Sequence, residues 1–223
     1  MHEILNIESA LGKLINESGK LRMLSHRVVM FLALHAVNPA DNSQMESAKK
    51  TIDTFNSIIN LLQHGDVSQG IEPTLTDQLK DEKAVSQAME LSAVFLNNAR
   101  PLLDPHQGNY AETVDGLSTF VSGDLLHTLN TLNDTIRGIL QDVITTKTTR
   151  EQADRTAFAN NIRNKISDIN SQIKLVSINA QIEAVRTGPE GAAFRVIASE
   201  ISALSDLSTR VLNEFTTEHR SRS

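Results

Sequence analysis

Between Arg163 and Phe215 the sequence carries apolar heptads up to Gly188-Pro189-Glu190-Gly191 and away from it again. The ascending arm places Ile162, Ile166, Ile169, Ile173, Val176 and Ala180 at alternating three- and four-residue steps. The descending arm repeats the pattern with Phe194, Ile197, Ile201, Leu204, Val211 and Phe215, broken at Ser208. Such alternation keeps one narrow stripe turned toward a neighbouring helix. A Gly-Pro-Glu-Gly knot between two such stripes predicts an antiparallel helical hairpin. A second stripe, Leu175, Ile178, Ile182 and Val185, lies roughly opposite Ile173, Val176 and Ala180. A helix apolar on two sides needs two partners: one is its own return arm, and the other must come from a second chain. The pattern therefore predicts a homodimer closed as a four-helix coiled coil, or at the least a dimerisation hairpin.

The rest of the chain also reads as helix. Aromatics are 4% of the 223 residues and Trp and Cys are absent, so the core must be built from aliphatic layers, as in bundles. No Asn-Gly hairpin turn and no sustained period-two alternation signals a strand. A first helix is expected from about residue 3 to Ala36 or Val37, stopping before Asn38-Pro39 because a residue preceding proline avoids the helical region. A second is expected from Asp41, as N-cap, to His64 before Gly65. A third runs from Thr74 or Thr76 to Ala99, and the segment from Arg100 to Asn109, with two prolines and a glycine, is a strong breaker. From Tyr110 no proline occurs until Pro189, which predicts one long helix, kinked near Gly116, Gly123 or Gly138. Its most polar stretch, Thr145 to Arg155, is either a solvated helical connector, the favoured reading, or a hinge between modules. The expected fold is all-α: a four-helix bundle over residues 1–145, then an antiparallel coiled-coil hairpin over 146–223 with its tip at 187–191.

One residue in the first helix breaks its stripe. Ile4, Ile7, Leu11, Leu14 and Ile15 are followed by Ser18, Arg22 and Ser25 before Val29 and Leu32 restore it. Ile15, Arg22 and Val29 share one heptad phase, so Arg22 stands where an aliphatic residue is expected. Burying a guanidinium without a partner costs several kcal/mol. Three arrangements answer that: a carboxylate on another helix, a side chain snorkelling from the edge of the stripe, or an anion held by the planar guanidinium fork. Gly19, one turn earlier, leaves room beside it at about 1 kcal/mol of helix propensity. His26 and Arg27 face elsewhere on the helix.

The segment Ile15-Asn16-Glu17-Ser18-Gly19-Lys20-Leu21-Arg22-Met23-Leu24-Ser25-His26-Arg27 resembles the P-box of nitrate and nitrite sensors and the opening motif of type IV pilus receptor domains. That resemblance implies a helical sensor bundle in which two copies of the first helix meet at a dimer interface. Arg22 would grip a small anion there, with Gly19 beside it and Ser18 and Ser25 lining the site. Two guanidinium groups facing across an axis repel, and an anion between them relieves the repulsion; each charge-assisted hydrogen bond contributes about 1.5–3 kcal/mol.

At the other end, Ile178 to Gly188 and Gly191 to Ile201 resemble the kinase-control tip of methyl-accepting chemotaxis receptors. By that resemblance Glu183, Arg186 and Phe194 pack receptor tips together. The surface from Ile173 to Ile201, including Leu175, Ile178, Ile182, Val185 and Glu190, meets a chemotaxis histidine kinase and its coupling protein. Gly191-Ala192-Ala193 replaces the Gly-Arg-Gly of typical tips, and Pro189 replaces the glutamate usual after the first turn glycine.

Other classes are disfavoured. The net charge of −6 gives no basic field for nucleic acid. No run of about twenty apolar residues predicts a membrane span, and the opening lacks a basic leader, so the expectation is a soluble cytoplasmic protein or a piece of a larger receptor. Without Cys there is no thiol catalysis and no Cys-based metal site. The seven histidines include no pair at i, i+4, and no Walker loop, dinucleotide fingerprint or nucleophile elbow occurs. Neither an enzyme nor a cofactor is expected. The two resemblances imply a signalling protein that senses nitrate, nitrite or another oxyanion and passes a helix-packing change to a protein partner. The competing reading is a non-sensing scaffold of chemotaxis arrays or of type IV pilus control.

Overall fold

The computed structural model describes residues 2–104 and 109–220, with side chains placed for 6–104 and 109–214. The side chains of Ile4 and Phe215, and residues 105–108 of the expected breaker, lie outside the described set. Among the described residues seven α-helices follow in order: α1 His2–Val37, α2 Ser43–His64, α3 Pro73–Lys80, α4 Lys83–Ala99, α5 Tyr110–Phe120, α6 Leu126–Arg186 and α7 Ala192–Arg220. The all-α class is as expected. The chain divides into two compact units, Met1–Lys147 and Thr148–Ser223.

In the first unit α1 buries Leu11, Leu14, Ser18, Leu21, Ser25, Val28 and Leu32, a stripe at three- and four-residue steps. It ends where proline predicts, with the Asn38 amide closing the last turn on the Leu34 carbonyl. The turn into α2 is set one residue later than expected. Asn42 is the flanking residue, and the Asp41 carboxylate instead accepts from the Ser43 amide at 2.9 Å. Hydrogen bonding from the Ser43 side chain, together with this one from its backbone, holds the Asp41 pKa below its ordinary value. The C-terminus of α2 needs glycine. Gly65 has φ 70°, and a Cβ there would stand 2.6 Å from the Ile71 carbonyl oxygen.

The single helix expected from Thr74 or Thr76 to Ala99 is two. Pro73 opens α3, where its missing N–H is harmless, Thr76 is buried within the helix rather than capping it, and Asp81-Glu82 separates α3 from α4. The long helix expected from Tyr110 is interrupted at one of the three named glycines. Residues Val121–Leu125, containing Gly123, form a π-helical turn between α5 and α6. Phe55 of α2 and Phe95 of α4 are fully buried with ring centroids 4.7 Å apart, tilted by 53°. Around them Leu11, Ile52, Leu62, Val85, Leu102, Leu125, Leu129 and Leu132 complete a closed aliphatic core. Against α1, α6 runs antiparallel: Arg22 meets Asn130, Ser18 meets Asn133, and Glu8 meets Lys147.

Residues 145–155 are helical, inside α6, and every side chain from 148 to 165 is exposed. In the second unit the C-terminal part of α6 and α7 form an antiparallel pair joined by a tight turn, Gly188–Gly191. Gly188 has φ 74°, the left-handed region that glycine enters freely. Gly191 is required for a different reason. A Cβ at that position would stand 2.1 Å from the Ala184 carbonyl oxygen, so the two arms touch backbone to backbone here. Among the described residues, no helix is long and apolar enough to cross a membrane.

Candidate functional site

The four residues expected to form an anion site on α1 divide into two pairs. Ser18 and Ser25 are fully buried, each hydroxyl donating to a carbonyl three residues back, at Ile15 and Arg22. Arg22 itself is exposed rather than buried in the stripe, because the inward positions at this level are taken by Leu21 and Ser25. In the single chain this is the edge placement among the three arrangements that its heptad phase left open. Its Nη1 donates to Asn130 Oδ1 on α6 at 2.7 Å. Among the described residues, no carboxylate lies within ion-pair distance of it. Gly19 is half-buried, and a Cβ there would stand 3.5 Å from Asn133 Nδ2, an ordinary contact. His26 and Arg27 are exposed, and Arg27 stacks over Phe31 at 5.7 Å.

Three polar residues of α6 join this region, and sequence reading did not single them out. Asn133 is buried and donates from Nδ2 to the Ile15 carbonyl at 2.9 Å and to Ser18 Oγ at 3.1 Å. Its Oδ1 accepts from Arg137 Nη2 at 3.4 Å. Asn130, three residues earlier, is half-buried and receives Arg22. An isolated Asn on a helix has no periodic signature. Only the polar gap at Ser18 and Arg22 on the facing helix hinted that polar groups must answer it.

The hairpin is built differently from its heptads' prediction. The large aliphatics do not form the seam between the arms. The buried positions are Asn170, Ser177 and Ala184 on α6, Gly191 at the end of the turn, and Ala198 and Ser205 on α7. Each set steps by seven residues, and the two sets mirror each other across the turn. Ser177 Oγ donates to the Ala198 carbonyl at 2.8 Å, Ser205 Oγ to the Asn170 carbonyl at 2.8 Å, and Asn170 Nδ2 to Ser208 Oγ at 2.9 Å. Small residues bring the arms close, and hydroxyls satisfy the polar groups that this closeness buries. Ile173, Val176, Ile197, Ile201 and Leu204, expected between the arms, are exposed in the single chain. All eight residues expected to meet partners are exposed: Leu175 (63%), Ile178, Ile182 (60%), Glu183, Val185, Arg186, Glu190 and Phe194. Glu183 and Arg186 face each other at 3.8 Å on one helix face.

Residues 4–114 match the family model described as the type IV pili methyl-accepting chemotaxis transducer N-terminal domain. Over 68 residues, 30% of this chain, the sequence is 35% identical to the aerotaxis receptor of Escherichia coli (strain K12). Over 53 residues, 24% of the chain, it is 38% identical to a methyl-accepting chemotaxis protein of Paramagnetospirillum magneticum. The matched stretches span 13% and 12% of the length of those two proteins. No solved structure gives a significant match. The chain is thus chemoreceptor-like, with its N-terminal half similar to a pilus-transducer domain.

Proposed function

We propose that this chemoreceptor-like chain is a dimeric signal transducer in which the N-terminal bundle senses a small oxyanion, nitrate or nitrite, at Arg22. The hairpin then presents a four-helix tip to a chemotaxis histidine kinase and its coupling protein. The observation that carries the sensing half is Arg22: a surface guanidinium on α1, free of any carboxylate among the described residues and resting on a neutral amide. A guanidinium held only by a neutral acceptor retains donors for an anion, whose hydrogen bonds would be charge-assisted on both sides. Ser18 and Gly19 favour a close approach at this level, since one side chain is turned inward and the other is absent. The match of residues 4–114 to a transducer domain supports the sensing role.

The hairpin supports the output half. A pair of arms that buries Ser, Ala, Asn and Gly while exposing Ile, Leu, Val and Phe on several sides is incomplete alone. A second hairpin would bury those aliphatics, each contributing up to about 1.5–3 kcal/mol.

Isothermal titration calorimetry with nitrate and nitrite, repeated on Arg22→Ala, tests the sensing reading. The wild type binds at least one of the two, and Arg22→Ala loses that binding with its helical content intact. Absence of binding in the wild type, or unchanged binding in Arg22→Ala, supports the scaffold reading instead.

A further inference from the structure

The two asparagines that α6 presents to α1 do different jobs. Asn133 is buried and commits its donors to the Ile15 carbonyl and the Ser18 hydroxyl, so it fixes α6 against α1. Asn130 lies about 4.5 Å farther along the axis, is half-buried, and its Oδ1 accepts a hydrogen bond from Arg22 Nη1. Arg22 is exposed, yet its guanidinium is drawn back onto its own chain's α6.

We propose that Asn130 is a built-in competitor for the anion: it parks the Arg22 guanidinium on α6, and an oxyanion must exchange with it. The proposal rests on the anion-sensing reading above and adds the residue that sets its affinity. For two Arg22 side chains to share an anion between copies of α1, each must leave its own α6. The acceptor they leave is a neutral amide, and the acceptor they gain is charged, so exchange is favourable in direction. The cost of leaving subtracts from the observed affinity, because a ligand binds more weakly by the fraction of molecules held in the non-binding arrangement. The same exchange has a structural consequence. The Arg22–Asn130 tie between α1 and α6 opens on binding while the Asn133 tie one turn away persists. Occupancy is therefore converted into a looser α1–α6 layer at the start of the helix that runs on to Arg186.

This exchange has a sign that simple positioning lacks. If Asn130 pre-oriented Arg22 for the anion, its removal would weaken binding; if it competes, removal tightens binding. The full chain, Asn130→Ala and Asn130→Asp are each titrated with nitrate and with nitrite at constant ionic strength, with circular dichroism and melting as fold controls. Asn130→Ala is expected to bind about three- to tenfold more tightly, the range of one modest hydrogen bond. Asn130→Asp, whose carboxylate holds the guanidinium as an ion pair, is expected to bind about tenfold or more weakly. Unchanged or weaker binding by a folded Asn130→Ala overturns the competitor role while leaving Arg22 as the sensor. Should Asn130→Ala not fold, undiminished binding by Asn130→Asp overturns it. A wild type that binds neither anion overturns the sensing reading itself, and this inference with it.

Discussion

The two units solve the problem of a helical core in opposite ways. The first closes on itself: Phe55, Phe95 and the leucines around them are fully buried, and three of the polar side chains that enter, Ser18, Ser25 and Asn133, are hydrogen-bonded. Among the described residues, the second buries only small and polar side chains, Asn170, Ser177, Ala184, Ala198 and Ser205, and leaves its large aliphatics outside. Packing density within one pair of helices is limited by what two cylinders can enclose. A bundle of four encloses a layer of leucines, whereas two arms enclose only what lies between their backbones. The difference separates a module whose large apolar side chains are covered within one chain from one whose large apolar side chains are left exposed.

The comparison is sharpened most by removing a side chain from the closed core. Phe95→Ala takes away half of the aromatic pair and leaves a cavity, at an expected cost of about 3–5 kcal/mol to the first unit. Thermal melting should drop by many degrees, while cross-linking through cysteines introduced on the hairpin stays as in the parent. Loss of hairpin association in Phe95→Ala would show that the stability of the second unit depends on the first. A smaller effect, in the opposite unit, is expected from Gly191→Ala. Its Cβ meets the Ala184 carbonyl, so the arms must separate at the tip, at about 1–3 kcal/mol. Amide exchange at Ala184 to Thr187 should accelerate while the core of the first unit keeps its protection; no change in exchange would deny the close approach.

The smallest effect concerns acid. Asp41 and Asp66 of the first unit both have pKa values held below the ordinary 3.8, by hydrogen bonds from Ser43 and from Ser68 respectively. A depressed carboxylate stabilises fully above its unfolded-state pKa and loses that contribution as pH falls through the lower folded-state value. Asp41→Asn should therefore flatten the acid limb of melting slightly below about pH 4, with no change at neutral pH beyond a constant offset. An unaltered acid limb would remove Asp41 from the account.

The end of α1, the end of α2 at Gly65 and the hairpin turn were legible in the sequence because proline and glycine act locally. The break at Asp81-Glu82 was not, since neither residue forbids a helix. The π-helical turn at Val121–Leu125 was visible only as a glycine among three. In the hairpin, the large apolar residues that dominate the heptads mark the outer faces. The inner seam is written in Asn, Ser, Ala and Gly, and its signal was the mirrored seven-residue spacing on either side of the turn. At the candidate site Arg22 could be named, because a charge interrupting an apolar stripe is conspicuous. Asn130 could not, because its significance comes only from facing Arg22 across two helices.

In the proposed dimer, the exposed aliphatics of the hairpin are an interface between two chains. Sedimentation equilibrium of the full chain at micromolar concentration measures it directly, with Ile182→Glu combined with Val185→Glu as the comparison. The account predicts the mass of two chains for the wild type and of one chain for the double variant, with helical content preserved in both. A wild type that sediments as a single chain across that range, or a double variant that stays dimeric, would contradict it.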